Sequence, residues 1–216
     1  MKYSTGNKLI FKCGITMKNR YMLAPMTNTQ SHEDGTLSET ELRWLTMRAQ
    51  GGFGLIMTCA AHVQEIGKGF HGQLGICSDK HIEGHKILSK ALKDEGSLAV
   101  VQLYHGGMRS PKEIIKTNPV APSKIEEFGT RALTLEEVKQ VRDAFITSAH
   151  RAQKSGYQGV EIHGAHGYLI CQFLSKDHNN RNDEYGGNLE NRSRILFEIV
   201  KGIRQQCGKD FLIGVR

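Results

Sequence analysis

A chain of 216 residues with 38% hydrophobic and 24% charged residues is long enough to bury a substantial core, and its composition excludes a disordered chain. Its net charge of +7 comes from basic residues interleaved with acidic ones along predicted helices, a pattern that indicates solvated helix faces and is compatible with phosphorylated ligands. There is no nucleic-acid-binding motif, no apolar stretch of membrane-spanning length and no apolar leader, so neither nucleic acid nor a membrane is a predicted partner.

The cysteine content indicates the compartment. The chain has five cysteines, an odd number, and none of them forms a C-x-x-C pair: Cys13, Cys59, Cys77, Cys171 and Cys207. This pattern argues against a complete disulfide framework, because an even set of paired cysteines would be needed. We therefore predict a protein of the reducing cytoplasm.

Short apolar runs alternate with helix-like stretches along the chain. From the amino terminus, the pattern predicts a hairpin over 8–20 and then strand 21–24, helix 39–50, strand 54–58, helix 79–95, strand 98–103, helix 135–155, strand 159–163, helix 189–206 and strand 211–215. Capping-box spacing starts two of the helices, at Ser38 with Glu41 and at Thr134 with Glu137. A glycine follows each helix, as is typical of helix ends: Gly51, Gly96, Gly156 and Gly208.

Alternating strands and helices predict a parallel α/β sheet, and periodicity alone leaves an open doubly wound sheet and a closed (β/α) barrel as alternatives. Polar residues follow the carboxyl ends of the predicted strands, which favours a barrel because those ends share one face there. The polar segment 106–133 is then a predicted active-site loop, and the hairpin closes the opposite end. Because five βα units are counted where a TIM barrel has eight, residues 1–216 are predicted to form an incomplete domain, a (β/α)8 TIM barrel truncated after the fifth strand.

Two imidazoles and a phenol follow the fourth strand of the predicted sheet. His163 ends the strand, His166 and Tyr168 come soon after it, and two glycines relax the backbone between them. We expect the three polar tips to converge on one small ligand atom. A His-x-x-His pair is also compatible with structural histidines or with a metal site. A metal-dependent hydrolase that uses His105, His163 and His166 is therefore a second hypothesis, although no further ligand is apparent nearby and no bound metal is predicted.

Four motifs occur in a fixed order along the chain: 24–26 (Ala-Pro-Met), 102–107 (Gln-Leu-Tyr-His-Gly-Gly), 163–169 (His-Gly-Ala-His-Gly-Tyr-Leu) and 183–192 (Asp-Glu-Tyr-Gly-Gly-Asn-Leu-Glu-Asn-Arg). Together they closely resemble the Old Yellow Enzyme family of FMN-dependent ene-reductases and NADH:flavin oxidoreductases, and the resemblance runs from about Lys8 to Arg216. It implies a TIM barrel with FMN across its mouth. The FMN would be reduced by NADH or NADPH and would pass hydride to an activated alkene or a similar small electrophilic acceptor.

The resemblance also implies roles for individual residues. His163 and His166 would donate hydrogen bonds to the oxygen of the acceptor, and Tyr168 would protonate its α-carbon. Gln102 would pair with the pyrimidine edge of the flavin, and Arg216 would face the N1 side, where negative charge accumulates. The other implied cofactor contacts are Ala24, Pro25, Met26 and Ala60, which touch the ring, and Thr27, which lies near a flavin carbonyl.

Two features limit what the resemblance implies. In the family, the cofactor phosphate is held by loops after strands seven and eight, which are not among the five units predicted here. An inactive fragment, or an assembly unit that needs the rest of the barrel, is therefore a third hypothesis, and open sheet edges in such a fragment favour a homo-oligomer. Thr29 stands where some relatives have a substrate-facing tyrosine, which implies a roomier acceptor pocket. The segment 183–192 is predicted to be structural.

Overall fold

The computed structural model describes residues 4–216, and its central element is an all-parallel five-stranded sheet. The elements in chain order are β1 (Leu9–Ile10), β2 (Thr16–Met17), β3 (Met22–Leu23), α1 (Glu39–Gln50), β4 (Leu55–His62), α2 (Ile82–Asp94), β5 (Leu98–Tyr104), α3 (Lys112–Ile115), β6 (Val120–Ala121), β7 (Arg131–Ala132), α4 (Leu135–Lys154), β8 (Gly159–Ile162), α5 (Leu169–Leu174), α6 (Leu189–Cys207) and β9 (Leu212–Val215). Among the described residues, no helix is long and apolar enough to cross a bilayer.

The strands of the main sheet pair in the order in which they occur along the chain, β3-β4-β5-β8-β9, and every pair is parallel. A doubly wound sheet reverses its strand order at a switch point, whereas a barrel adds each strand beside the last. The observed order therefore agrees with the predicted barrel and removes the doubly wound alternative. Because the five strands run the same way, their carboxyl ends lie along one edge, which we call the carboxyl rim.

The two faces of the sheet bury different side chains. On β5, Val101 and Leu103 belong to the large core between the sheet and the helices, whereas Leu98 and Val100 belong to a smaller cluster on the other face. This alternation is the period of a strand, in which successive side chains point to opposite faces. Met17 of the hairpin β1–β2 packs into the smaller cluster. The hairpin therefore covers the amino-terminal ends of the strands, as the sequence predicts.

The two predicted capping boxes differ in the structure. Both reciprocal hydrogen bonds of the capping box form at the start of α4. At α1 only one of them forms, in which the Ser38 hydroxyl accepts a hydrogen bond from the Glu41 amide at 3.1 Å. The Glu41 carboxylate is fully buried and accepts hydrogen bonds from three other side chains: Asn28, Ser31 and Cys59. The carboxylate therefore ties the segment after β3 to the start of α1 and to β4.

Differences from the sequence prediction at three places have a local reason. Strand β4 runs on to His62 because the apolar stretch continues, fully buried, beyond the predicted end at residue 58. The predicted helix 79–95 opens with a 3-10 turn at Asp79–His81, and only α2 is α-helical. The predicted loop 106–133 contains α3 and the short parallel pair of β6 with β7, so it is more ordered than its polar composition indicates.

The segment 183–192 makes the contacts expected of a structural element. The Asn188 side chain caps α6 by accepting a hydrogen bond from the Asn191 amide at 2.9 Å. Arg192 is buried, and its guanidinium donates to the carbonyl oxygens of Leu174, at 2.9 Å, and of Gly187. These bonds join α6 to the turn before it and to the end of α5.

A buried histidine between α2 and the core is neutral in the folded state. His85 is 1% exposed, and its Nε2 donates to the carbonyl oxygen of Gly75 at 2.9 Å. Its Nδ1 then accepts from the Tyr157 hydroxyl at 3.0 Å, so both ring nitrogens are satisfied without a second proton. Burial is the largest cause of a shift that lowers the pKa of His85 from 6.5 to about 4.

We predict that His85 makes the protein sensitive to acid. Between pH 6.5 and pH 4 the unfolded chain binds a proton at this residue that the folded chain does not, so stability is lost as the pH falls. The free energy of unfolding should decrease by up to about 1.4 kcal/mol per pH unit from this group. Urea denaturation from pH 7 to pH 5 measures the slope, which His85→Gln should reduce and the exposed control His32→Gln should not. Equal slopes in wild type and His85→Gln would contradict the prediction.

Candidate active site

The backbone ladder of the sheet continues past the ends of β8 and β9, and it holds two predicted site residues in place. The His163 amide donates to the Leu103 carbonyl oxygen, and the Arg216 amide donates to the Ile162 carbonyl oxygen, both at 3.0 Å. The Gly164 amide donates in turn to the Arg216 carbonyl oxygen at 3.0 Å. Because the backbones of His163 and Arg216 are bonded like those of strand residues, both side chains leave the sheet from fixed positions on the carboxyl rim.

The structure brings the side chains of His163, His166 and Tyr168 together at this rim. The centroid of the His163 ring lies 5.0 Å from that of His166 and 4.9 Å from that of Tyr168, and the last two rings are 6.3 Å apart. The turn between them has two consecutive left-handed residues, His166 with φ +56° and Gly167 with φ +71°. This turn folds the chain back, so the three rings meet instead of spreading around a helix.

His163 is held as a neutral hydrogen-bond donor. Its Nδ1 accepts a hydrogen bond from the Ala165 amide at 3.3 Å, which places the single ring proton of the neutral form on Nε2. Three effects lower the pKa of His163 to about 4: burial, which is the largest, and then the neighbouring His166 and Arg216. The Nε2 of His163 can therefore donate to an oxygen on a ligand at neutral pH.

Gln102 and Tyr104 lie on the same face of β5, two residues apart. Gln102 is buried, and its amide nitrogen donates to a Glu161 carboxylate oxygen at 2.7 Å across the β5–β8 pair. This bond fixes the orientation of the amide and leaves its carbonyl oxygen as an acceptor. The Tyr104 ring lies 4.5 Å from the ring of Tyr168 and 5.9 Å from that of His163. Tyr104 therefore belongs to the site.

The sequence prediction placed Tyr104 in a motif at the end of a strand but gave it no role, and it did not include Arg109. Burial, followed by the neighbouring Tyr168, raises the pKa of Tyr104 well above its usual range, so its hydroxyl keeps its proton. Arg109 lies against the turn at Gly167, where an added Cβ would stand 3.0 Å from the Arg109 Nε. Alternation along β5 predicts that Tyr104 lies on the same face as Gln102, whereas no sequence pattern indicates Arg109.

The implied ring contacts lie at the neighbouring strand ends. Residues 24–27 follow β3, and Ala60 lies in β4 directly opposite Gln102. Met26 is 47% exposed although it is apolar, and the other residues after β3 are exposed or half-buried: Ala24, Pro25 and Thr27. The segment after β3 therefore offers open, largely apolar surface, whereas Ala60 is buried within the sheet. The Arg216 side chain is exposed at the far end of the rim.

The hydrolase hypothesis is not supported by the arrangement of the histidines. His105 is buried, its Nδ1 accepts a hydrogen bond from the Gly107 amide at 3.0 Å, and burial lowers its pKa to about 3. Within residues 4–216, one group of three His, Cys, Asp or Glu side chains has metal-ligand spacing, and it includes neither His105 nor the pair at residues 163 and 166. The three histidines of that hypothesis therefore do not form a ligand set.

The chain is similar to a family of flavin oxidoreductases over nearly its whole length. The family model described as NADH:flavin oxidoreductase / NADH oxidase matches residues 10–216. A probable NADH-dependent flavin oxidoreductase of Bacillus subtilis, YqiG, is 42% identical over 95% of this chain, and an NADPH dehydrogenase of Clostridium acetobutylicum is 41% identical over 90%. Those alignments cover 57% and 58% of the relatives, so the chain spans well under two thirds of their length.

Solved structures give the same result. The Old Yellow Enzyme homologue of Zymomonas mobilis superposes with a TM-score of 0.90 at 32% identity, over 99% of this chain and 63% of that protein. A 2-naphthoyl-CoA reductase superposes with a TM-score of 0.92 at 31% identity, over 98% of this chain and 35% of that protein. The five parallel units described here are therefore those of an Old Yellow Enzyme-type TIM barrel.

We predict that His163 stays uncharged and keeps its proton on Nε2 from pH 7 to pH 5, because its pKa is about 4. Long-range ¹H–¹⁵N spectra of ¹⁵N-histidine-labelled protein report both properties, since protonated and unprotonated ring nitrogens differ strongly in chemical shift. A spectrum of His163→Asn identifies the signal by its disappearance. A titration midpoint above pH 6, or a signal from the Nδ1–H tautomer, would show that the site is solvated and differently bonded.

Proposed function

This chain belongs to the NADH:flavin oxidoreductase / NADH oxidase family, and we propose that it supplies the catalytic rim of an FMN-dependent enzyme that reduces an activated alkene or a related electrophilic acceptor with NADH or NADPH. The observation that carries the proposal is the meeting of a neutral, donating His163 with His166 and Tyr168 at the carboxyl rim. Three converging polar side chains beside a surface for a flat cofactor suit the polarisation and protonation of a small acceptor.

The residues of the rim fit FMN. A flavin has an apolar dimethylbenzene edge and a pyrimidine edge that offers both hydrogen-bond donors and acceptors. The fixed Gln102 amide has a carbonyl oxygen that could accept a hydrogen bond from a ring N–H, and the half-exposed Met26 and its neighbours offer apolar surface. Arg216 brings a permanent positive charge to the same rim, where it favours a reduced, negatively charged ring. Ala60 and Thr27 complete the proposed contacts to the cofactor.

Bound FMN would supply hydride transfer, which no protein side chain performs. The two histidines would hold the acceptor by its carbonyl or nitro oxygen and withdraw electron density from the double bond. His163 would donate from Nε2 without first taking up a proton, because its pKa is far below neutral pH. His166, exposed on the turn at the rim, would supply the second donor. The two donors together fix where the acceptor oxygen lies and therefore which carbon is closest to the cofactor.

Tyr168 would act as the general acid that protonates the acceptor. Its ring packs edge-on against both Tyr104 and His163, so its hydroxyl is confined to the same small volume as the histidine donor. The Tyr104 hydroxyl keeps its proton because burial raises its pKa, and it therefore positions the Tyr168 phenol without competing as an acid. Tyr104 is thus a proposed positioning residue.

We also propose that activity needs the remaining barrel segment found in the relatives. Within residues 4–216, the edge strands β3 and β9 each pair on one side only, and α6 exposes Phe197 (67%) and Leu189 (64%). Open parallel edges and exposed apolar side chains favour pairing with further strands and helices, from the same chain or from a second copy. Assays are therefore best made on the chain as it stands and on a fusion to the C-terminal part of the Bacillus relative.

We predict that Tyr168→Phe separates the two half-reactions in whichever preparation binds FMN. Bleaching of the flavin by NADH or NADPH should proceed at close to the wild-type rate, because the phenol takes no part in it. Reoxidation by an enone should slow by at least about tenfold, because general-acid catalysis typically contributes 10² to 10⁴ in rate. Stopped-flow absorbance measures both steps. Equal losses in the two steps would remove Tyr168 as the proton donor.

A separate prediction concerns the histidines. His163→Asn and His166→Asn should each weaken the binding of a substituted phenol, an acceptor-like oxygen ligand, by roughly ten- to a hundredfold, since a hydrogen bond to a charged oxygen is worth about 1.5–3 kcal/mol. Titration of the flavin spectrum with the phenol measures the affinity, and FMN should stay bound. His150→Asn, on α4 outside the rim, is the matched control. Unchanged phenol affinity in both variants would refute the proposed acceptor site.

A further inference from the structure

A second cluster of ligand-type side chains lies outside the proposed acceptor site, at the end of β4. It consists of His62, the last residue of that strand, Glu65 in the 3-10 turn that follows, and Cys77, a free thiol further along the chain. The backbone brings the two ends of this stretch together: the His62 amide donates to the Leu74 carbonyl oxygen at 3.1 Å, and the Ile76 amide donates to the His62 carbonyl oxygen at 3.0 Å. The positions of His62 and Cys77 are thus coupled by main-chain bonds.

His62 presents an unsatisfied nitrogen to this cluster. Its side chain is completely buried, and its Nδ1 lies 3.1 Å from the Leu74 carbonyl oxygen. Because a carbonyl oxygen only accepts, Nδ1 carries the proton and Nε2 carries a lone pair in the neutral ring. That Nε2 is buried without a hydrogen-bond partner, and the closest carboxylate oxygen, Glu65 Oε2, is 3.7 Å away. Two lone pairs that face each other across this gap favour a cation between them.

The remaining distances suit a metal ion. The Cys77 Sγ is 3.2 Å from Glu65 Oε1, and one ligand atom from each of the three residues lies within 4.8 Å of the other two. Zn²⁺ binds nitrogen and oxygen at about 2.0–2.2 Å and sulfur at about 2.3 Å, so tetrahedral ligand atoms stand roughly 3.3–3.7 Å apart. The Leu74 carbonyl also provides the outer hydrogen bond that orients a metal-binding imidazole.

We propose that His62, Glu65 and Cys77 bind one divalent cation of the Zn²⁺ class, with water in the fourth position. A thiolate and an imidazole select Zn²⁺ or Co²⁺ over Mg²⁺ and Ca²⁺, which prefer oxygen ligands only. On binding, the Cys77 thiol releases its proton to solvent, the His62 Nε2 donates its lone pair, and no electron transfer is involved. The spacing H-x2-E-x11-C matches no common zinc motif, so the sequence prediction of no metal did not consider these residues.

The ion would stabilise the loop 63–76 beside the carboxyl rim. Within that loop, the Gln73 amide nitrogen donates to the Ala60 carbonyl oxygen at 2.8 Å, and Gly67 lies so close to the His105 ring that an added Cβ would stand 2.6 Å from it. A cation that joins residue 62 to residue 77 closes the loop at its base. The proposed site is therefore structural and is independent of the flavin chemistry.

Titration of chelator-treated protein with Co²⁺ tests the site, because tetrahedral cobalt has strong visible bands and a thiolate ligand adds a charge-transfer band in the ultraviolet. We expect one tightly bound Co²⁺ per chain, displaced by Zn²⁺. Cys77→Ser should abolish the charge-transfer band and weaken binding by at least about tenfold, and Glu65→Gln should weaken it by a similar factor. Cys13→Ser, which removes another partly buried thiol, should bind like wild type. A charge-transfer band that persists in Cys77→Ser would overturn the proposal.

A second measurement uses the unaltered protein and so does not depend on whether a variant folds. Saturating Zn²⁺ should slow the alkylation of Cys77 by iodoacetamide by at least about tenfold, because the metal-bound thiolate is held and shielded. The rate at Cys13 should stay the same. Peptide mass spectrometry separates the two sites. Equal alkylation of Cys77 with and without Zn²⁺ would exclude it as a ligand.

Discussion

The arrangement of the carboxyl rim depends on the register of the parallel hydrogen-bonded ladder that joins β5, β8 and β9. On β8, Val160 and Ile162 are buried in the large core beneath the helices, which leaves Glu161 and His163 for the opposite face. A shift of one residue would exchange these two sets and place a carboxylate in the core. Burial of two aliphatic side chains therefore determines that His163 faces the rim. The same ladder bonds the backbone of Arg216 beside it.

The protonation of His163 is set by burial and charge acting in the same direction. Removal of water disfavours the imidazolium ion, and the neighbouring His166 and Arg216 disfavour it further. The Ala165 amide then decides which nitrogen carries the remaining proton. A carboxylate at Nδ1 would instead favour the charged ring. The chain thus obtains a fixed donor from burial, a backbone amide and two neighbouring basic side chains, and the donor needs no proton uptake when a ligand binds.

Those parts of the structure whose causes are local could be predicted from the sequence. The helix predicted over 39–50 has the same bounds in the structure because Ser38 caps its start and Gly51 follows its end. The end of β4 was placed too early because a continuous apolar run contains no internal marker. The parallel order and the barrel class followed from alternation together with the polar strand ends, and the observed strand order and the solved relatives confirm them.

Contacts between distant segments could not be predicted in this way. Alternation along β5 places Tyr104 on the same face as Gln102. Its contact with Tyr168, however, requires the turn through His166 and Gly167. Glu41 has the spacing of a capping box, but its carboxylate accepts hydrogen bonds from three buried or partly buried side chains instead of from the backbone at the start of the helix. The roles proposed for Gln102 and for the segment after β3 rest on the family resemblance, because neither periodicity nor composition identifies a flavin contact.

The sequential strand order also determines how a larger barrel would be built on this sheet. Such a barrel grows by adding the next strand beside β9 and the next helix beside α6, and both surfaces are open in residues 4–216: Val215 is 50% exposed and Phe197 67%. In that arrangement Arg216 would lie between two strands instead of at an edge. Its backbone position needs no further strand, however, because the bonds to Ile162 and Gly164 already fix it. The histidine pair, Tyr168 and the proposed flavin-facing cation are therefore positioned by the five described strands. The additional strands would exclude water from the site and would carry the loops that the resemblance implies for the cofactor phosphate.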